Sequence, residues 1–220
     1  AHSVFVRLAN HGLAKYTKEV SRLVQLSHPN LAAVVGVCQT ADPAVLHLIA
    51  ELPAGCSTMS AFYATEEFNL FQFNRVVSEV FGAVAFLHEN GVTHRALRDD
   101  TILICANTRK VKLSAFGLAE VSKHTALKDD VAPVYVAPEV LADETGGDGV
   151  AASLDLVKVD VYSLGVVMWE LWFKQRAFAG ETMDAVITHV MKGQRLPFKS
   201  TREGQIEAPK PLTRFIEACW

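Results

Sequence analysis

The hydrophobic pattern of this 220-residue chain changes at Pro53-Ala54-Gly55. Before that point, short β-branched and apolar runs predict strands, and residues at helical spacing predict one helix that ends at His28-Pro29. After it, apolar residues recur every three or four positions and predict a long helix up to Asn90-Gly91. The strands are predicted at 4–8, 31–38, 44–52, 102–104 and 111–113. An α+β fold is therefore expected, with most of its helices in the second part.

This change of pattern also suggests a division into lobes. We predict a small mixed lobe over residues 1–52, a hinge over 53–57 and a larger, mainly helical lobe over 58–220. Residues 142–153 are rich in Gly and Asp, which is typical of a flexible surface insertion.

Composition narrows the classes of protein that remain. The chain is 50% hydrophobic and 20% charged, which is typical of a globular protein with a substantial core. Its net charge of -3 provides no basic field for a phosphate backbone, so we expect no nucleic acid partner. The longest apolar run, 161–173, is interrupted by Glu170, so we expect no membrane insertion in this segment.

The four cysteines lie far apart and form no C-x-x-C pair. This spacing predicts neither a zinc site nor a disulfide scaffold. A reducing compartment suits such cysteines, so we expect the protein to be cytoplasmic, whether alone or as part of a larger multidomain or receptor protein.

Seven segments together resemble the protein kinase family, of the tyrosine kinase or tyrosine-kinase-like type. They occur in the family's order along nearly the whole chain: HPNLAAVVGVC, AELPAG, THRALRDDTILI, SAFGLA, VYVAPEV, KVDVYSLGVVMWEL and FIEACW. The resemblance implies a bilobal fold in which the glycine-rich strands of the small lobe and the C-terminal end are missing.

The resemblance also assigns the catalytic positions. The base position is Ala96, the second metal position is Thr101 and the principal metal position is Ala115. An alanine methyl group offers no oxygen, and a neutral hydroxyl is a poor ligand for a hard cation. We therefore expect no bound metal and no phosphotransfer, so that the chain would be a pseudokinase and not an enzyme.

A residual nucleotide cleft is still implied by the resemblance. Weak, metal-independent ATP binding is the only cofactor binding that we expect. The positions that would line this cleft are Arg7, Glu19, Ala50, Glu51, Leu52 and Leu103.

Other matched positions have supporting or regulatory roles in the family. The supporting positions are His94, Arg95, Phe116, Gly117, Glu139 and Asp160. Ser122, Thr125 and Tyr135 fall in the activation-segment region and are candidate phosphorylation sites, where a phosphate could dock on Arg95.

Three functions fit these features. The first is a protein-binding scaffold or allosteric regulator in signalling, whose partner is an active kinase or an attached effector domain. The second is a weak or atypical ATP-dependent phosphotransferase that recruits Asp99, Asp100 or Glu120 as an unusual ligand or base. The third is a structural subunit of a larger assembly. Stabilisation by ATP with and without a divalent cation would distinguish them.

Overall fold

The structure is a computed structural model, and it describes residues 2–7, 20–39, 45–65, 69–114, 116, 133–142, 154–199 and 207–220. The chain forms two compact units, residues 1–120 and residues 121–220. The lobe boundary predicted at 53–57 stays a prediction. Strands and helices are both present, and the predicted α+β class is confirmed.

Two small antiparallel sheets lie in the first unit. One has the order β1-β3-β2 and the other β4-β5-β6. Their strands are β1 (His2–Arg7), β2 (Ala33–Gln39), β3 (Val45–Glu51), β4 (Cys56–Thr58), β5 (Ile102–Cys105) and β6 (Val111–Leu113). The sequence predicts all of them except β4, which is too short to show a period of two.

The described part of this unit also contains helices α1 (Met59–Thr65) and α2 (Leu70–Glu89). Residues 20–23 are helical too and belong to the helix that the sequence predicts before His28-Pro29. A capping box starts α2: the Asn69 side chain accepts from the Gln72 backbone N–H, and the Gln72 side chain accepts from the Asn69 backbone N–H. By length and composition alone α2 could cross a membrane, but core helices pass the same test. Here its apolar stripe is buried, from Phe73 to Leu87.

Helix α2 is attached to the second sheet through Glu79. Its Oε2 accepts a hydrogen bond from the Val111 backbone N–H at 2.7 Å and another from Asn30 Nδ2 at 3.0 Å. Asn30 Nδ2 also donates to the Val111 carbonyl oxygen at 3.0 Å. A polar cluster at the edge of β6 thus holds the helix, the sheet and the segment before β2 together.

One prediction from the cysteine spacing is wrong. The sequence predicts no disulfide, whereas Cys56 and Cys105 are disulfide-bonded across β4 and β5. The two residues lie directly opposite each other in the strand register, although 49 positions separate them in sequence. Spacing along the chain cannot reveal such a pair, because strand pairing is what brings it together.

The second unit is helical in its described part. It contains a 3₁₀ turn (Pro133–Tyr135) and helices α3 (Pro138–Leu141), α4 (Leu156–Phe173), α5 (Met183–Met191) and α6 (Lys210–Cys219). Thirteen of the eighteen residues of α4 are buried, so this helix forms the core of its unit. Asp155 caps it by accepting from the backbone N–H groups of Val157 and Lys158. Most of the predicted insertion at 142–153 lies outside the described residues.

Candidate active site

The loop between α2 and β5, residues 93–101, is closed by its own side chains. Thr101 Oγ1 donates to the Ala96 carbonyl oxygen at 2.6 Å and accepts from the Arg98 backbone N–H at 3.1 Å. Thr101 is 4% exposed, so these hydrogen bonds are shielded from water. The hydroxyl at the predicted metal position therefore serves to hold the loop in shape.

Two further residues pack this loop into the unit. The imidazole of His94 is completely buried, and its ring centroid lies 6.2 Å from that of Phe116. Arg95 has a positive φ of 67°, which is uncommon for a residue with a side chain and typical of functional loops. Its Nε donates to Thr93 Oγ1 at 2.9 Å.

The loop acids are engaged in local contacts. The carboxylate of Asp99, which is 4% exposed, accepts from the Ser60 hydroxyl at 2.6 Å and also from the Ser60 backbone N–H. It therefore ties the loop to the first turn of α1. Asp100 pairs with Arg98, with 2.6 Å between Oδ1 and Nε. Ala96, at the predicted base position, has a half-buried methyl group as its side chain.

The predicted cleft positions are only partly described. Ala50 is buried at 1% exposure in β3, opposite Val34, while Glu51 is exposed and Leu52 half-buried. Leu103 lies in β5, two residues beyond the loop. Arg7 is the last residue of β1. Six predicted positions lie outside the described residues, namely Glu19, Ala115, Gly117, Glu120, Ser122 and Thr125.

In the second unit, the predicted phosphorylation site Tyr135 is buried. Its hydroxyl donates to Glu170 Oε2 at 2.6 Å, and Glu170 Oε1 accepts from the Ala177 backbone N–H at 2.8 Å. Both Tyr135 and Glu170 are at most 5% exposed. A modifying enzyme would therefore need a different conformation to reach the Tyr135 hydroxyl.

The remaining supporting positions also lie in the second unit. Asp160 is buried in α4 at 1% exposure, and Glu139 is exposed in the first turn of α3. Burial raises the pKa of Tyr162 to about 12, with Glu139 raising it further and Arg195 lowering it. The guanidinium carbon of Arg195 lies 5.8 Å from the Tyr162 ring centroid.

The donor set does not fit a divalent metal ion. Among the described residues, no group of three or more His, Cys, Asp or Glu side chains could hold one. The two described acids of the loop have local partners, since Asp99 accepts from Ser60 and Asp100 pairs with Arg98. No step through a metal can be derived from these residues.

Comparison with known proteins identifies the family. A model of the protein kinase domain matches residues 6–220. This chain belongs to the protein kinase domain family. The kinase-like fold that the motifs predict is therefore confirmed. The tyrosine-kinase-like subtype is a finer assignment than this match makes.

The curated relatives of this kinase domain are longer proteins. A probable serine/threonine-protein kinase of Dictyostelium discoideum is 27% identical over 96% of this chain, which covers 22% of that relative. A dual specificity protein kinase of the same organism is 27% identical over 94% of the chain and 38% of the relative. Mouse calcium/calmodulin-dependent protein kinase type IV is 29% identical over 70% of the chain and 31% of the relative.

These relatives overturn one prediction. The substitutions at Ala96, Thr101 and Ala115 predict that the chain is not an enzyme, but the relatives are named as protein kinases, which points to an enzyme. The prediction is wrong. It considers three positions, whereas catalysis of phosphoryl transfer is mostly positioning and electrostatic stabilisation by many groups in the domain.

The sequence gives little sign of several residues that hold each unit together. Ser60 and Asn30 carry no signal of their own, because their partners Asp99 and Glu79 are 39 and 49 positions away. Glu170 is visible in the sequence only as a charge that interrupts an apolar run. Its role becomes apparent when Tyr135 and Ala177 are seen beside it.

Proposed function

We propose that this kinase domain acts as a protein-binding regulator in intracellular signalling and transfers phosphoryl groups from ATP only slowly. The observation that carries the proposal is the Thr101 hydroxyl, which closes the loop onto the Ala96 carbonyl oxygen at 2.6 Å. The loop keeps its shape through internal hydrogen bonds, while the position of its base holds only a methyl group. We also propose the tyrosine-kinase-like subtype, on the HPNLAAVVGVC and AELPAG segments.

The rate enhancements typical of a general base and of a catalytic metal support slow phosphoryl transfer. General-base assistance is worth roughly 10²–10⁴-fold in rate, and Ala96 cannot provide it. Charge stabilisation by a catalytic metal adds several kcal/mol, and Ala115 offers that metal no oxygen. Positioning of substrate and nucleotide does not depend on these two side chains, and this contribution remains available to the domain.

Protein partners are the natural targets of a domain that keeps its packing. The curated relatives extend well beyond the matched region, so we propose an attached effector domain or an active kinase as the partner. A specific interface needs about 1,000 Å² of buried surface or more, which a 220-residue domain can offer. The net charge of -3 does not favour a nucleic acid.

Nucleotide titration tests the proposal. We expect ATP to raise the melting temperature of the full chain by a similar amount with EDTA, Mg²⁺ or Mn²⁺, because Thr101 and Ala115 provide no carboxylate at the predicted metal positions. The variant Leu103→Trp, which adds bulk at a predicted cleft position, should lose the shift. Radiolabelled transfer to a generic protein substrate should be measurable but slow.

A large shift that requires the cation, together with rapid transfer, would contradict the proposal. The control variant is Glu89→Gln, an exposed residue at the end of α2, which should bind nucleotide like the unmodified chain.

A further inference from the structure

The disulfide between Cys56 and Cys105 lies next to the candidate active site. Cys56 is the first residue of β4 and Cys105 the last residue of β5. The strand β5 follows the loop residue Thr101 directly, and β4 leads into α1, where Ser60 holds Asp99. The disulfide therefore connects the strands on either side of the loop's anchoring point.

Backbone hydrogen bonds hold the two cysteines opposite each other independently of the sulfur–sulfur bond. The Ala106 backbone N–H donates to the Gly55 carbonyl oxygen at 2.9 Å, next to the pair. In the following turn, the Arg109 N–H donates to the Cys105 carbonyl oxygen at 2.7 Å, and the Cys105 N–H donates to the Lys110 carbonyl oxygen at 3.0 Å. The pairing of β4 with β5 does not depend on the disulfide, so we expect it to keep the two thiols opposite each other after reduction.

The two cysteines of the disulfide differ in their exposure to solvent. Cys105 is 1% exposed, whereas Cys56 is half-buried at the sheet edge. A small thiol can therefore reach Cys56, while Cys105 is shielded and acts as the resolving thiol. Among the cysteines whose side chains the structure describes, Cys219 is outside the disulfide. Burial raises its pKa to about 11, so it is mostly unreactive thiol at neutral pH.

We propose that Cys56 and Cys105 form a reversible thiol–disulfide exchange site for a low-molecular-weight thiol of the glutathione class, and that its redox state sets the rigidity of the loop at residues 93–101. The proposal does not rest on phosphotransfer and so goes beyond the proposed function.

Each step of the exchange balances. A glutathione thiolate attacks the Cys56 sulfur, the bond to Cys105 breaks, and the Cys105 thiolate leaves and takes up a proton. A second glutathione thiolate attacks the mixed disulfide, which releases Cys56 as a thiolate that is protonated, and forms glutathione disulfide. Two electrons and two protons pass to the protein, and the reverse sequence oxidises it.

Glutathione buffers of defined thiol-to-disulfide ratio test the site. The full chain is equilibrated in each buffer, quenched with acid and alkylated, and the free thiols are counted by intact mass. We expect the number of free thiols to rise by two from the oxidising to the reducing end, with Cys56 and Cys105 appearing together. In Cys105→Ser, a glutathione adduct should be trapped on Cys56.

Two physical measurements accompany the titration. Reduction should lower the melting temperature by roughly 5–15 °C, because the bond closes a long loop, and should speed hydrogen exchange at residues 93–101. In Cys56→Ser, neither the melting temperature nor the hydrogen exchange should depend on redox state. In Cys219→Ser, both should depend on it as in the unmodified chain.

A pair that stays oxidised in fully reduced glutathione would be a permanent structural bond, and that result overturns the proposal. A disulfide that does not form in glutathione disulfide also overturns the proposal. Equal rates of hydrogen exchange at residues 93–101 in the oxidised and the reduced protein would do the same.

Discussion

Glu79 joins three segments of the first unit through one carboxylate oxygen, which accepts hydrogen bonds from Asn30 and Val111. Replacing Glu79 with Ala would leave the Val111 N–H at the sheet edge without this acceptor. We expect Glu79→Ala to lower the free energy of unfolding by about 1–3 kcal/mol, and Glu79→Gln to cost less because it keeps an acceptor. Urea unfolding measures both. Glu89→Ala, at an exposed position of the same helix, should change little.

His28, also considered as a single residue, makes the stability of the fold depend on pH. Burial lowers its pKa, and the charge of Lys112 lowers it further. Its Nδ1 accepts a hydrogen bond from the Asn30 backbone N–H at 3.1 Å, which requires the neutral ring. Since the pKa is lower in the folded state, the unfolded state binds the proton more tightly, and stability falls as pH drops below about 6.5.

The variant His28→Asn keeps an acceptor but does not titrate. We expect the unmodified chain to lose more stability between pH 7.5 and pH 5 than His28→Asn, as measured by urea unfolding at each pH. Equal losses in the two proteins would show that His28 does not contribute.

At the scale of elements, two glycines in helices make a matched pair. A Cβ at Gly165 in α4 would lie 2.8 Å from Cys219 Cβ and in contact with Trp220 Nε1, where α6 packs on α4. A Cβ at Gly82 in α2 would meet nothing within 4 Å. The close packing of α6 on α4 therefore needs glycine at Gly165, whereas α2 has room for a side chain at Gly82.

We expect Gly165→Ala to destabilise the protein by about 1–3 kcal/mol through overpacking. Gly82→Ala should stabilise it by about 1 kcal/mol, because alanine favours the helix. Thermal unfolding of both variants checks the signs. If Gly165→Ala leaves the stability unchanged, α6 can move away from α4 without loss of free energy.

At the scale of the whole molecule, the slow transfer that we propose has a direct test. The double variant Ala96→Asp with Ala115→Asp places a carboxylate at both the base and the principal metal position. We expect its rate of radiolabel transfer to exceed that of the unmodified chain by about 10²-fold or more. Each single variant should gain much less, because the two groups act as a unit. Equal rates in all four proteins would refute the proposal.

Much of the fold could be predicted from local patterns. Helix α2 follows from apolar residues three or four positions apart, whereas α4 is buried on nearly all sides and is expected from its resemblance to the central helix of the family. The capping signals lie within a few residues of each helix start. The strand β4 could not be predicted, because three residues show no period and its identity depends on pairing with β5. Sequence motifs located the loop at 93–101, but not the hydrogen bonds that shape it.

The sequence by itself determined the family and the residue types at the predicted catalytic positions, because the type of a side chain does not depend on how the chain folds. Only the tertiary structure decided what several side chains do. Asp99 caps α1, the Thr101 hydroxyl closes its own loop, and Cys56 meets Cys105. The physical reason is range: hydrogen bonds and disulfides act over a few ångströms, and the fold alone sets which distant residues come that close.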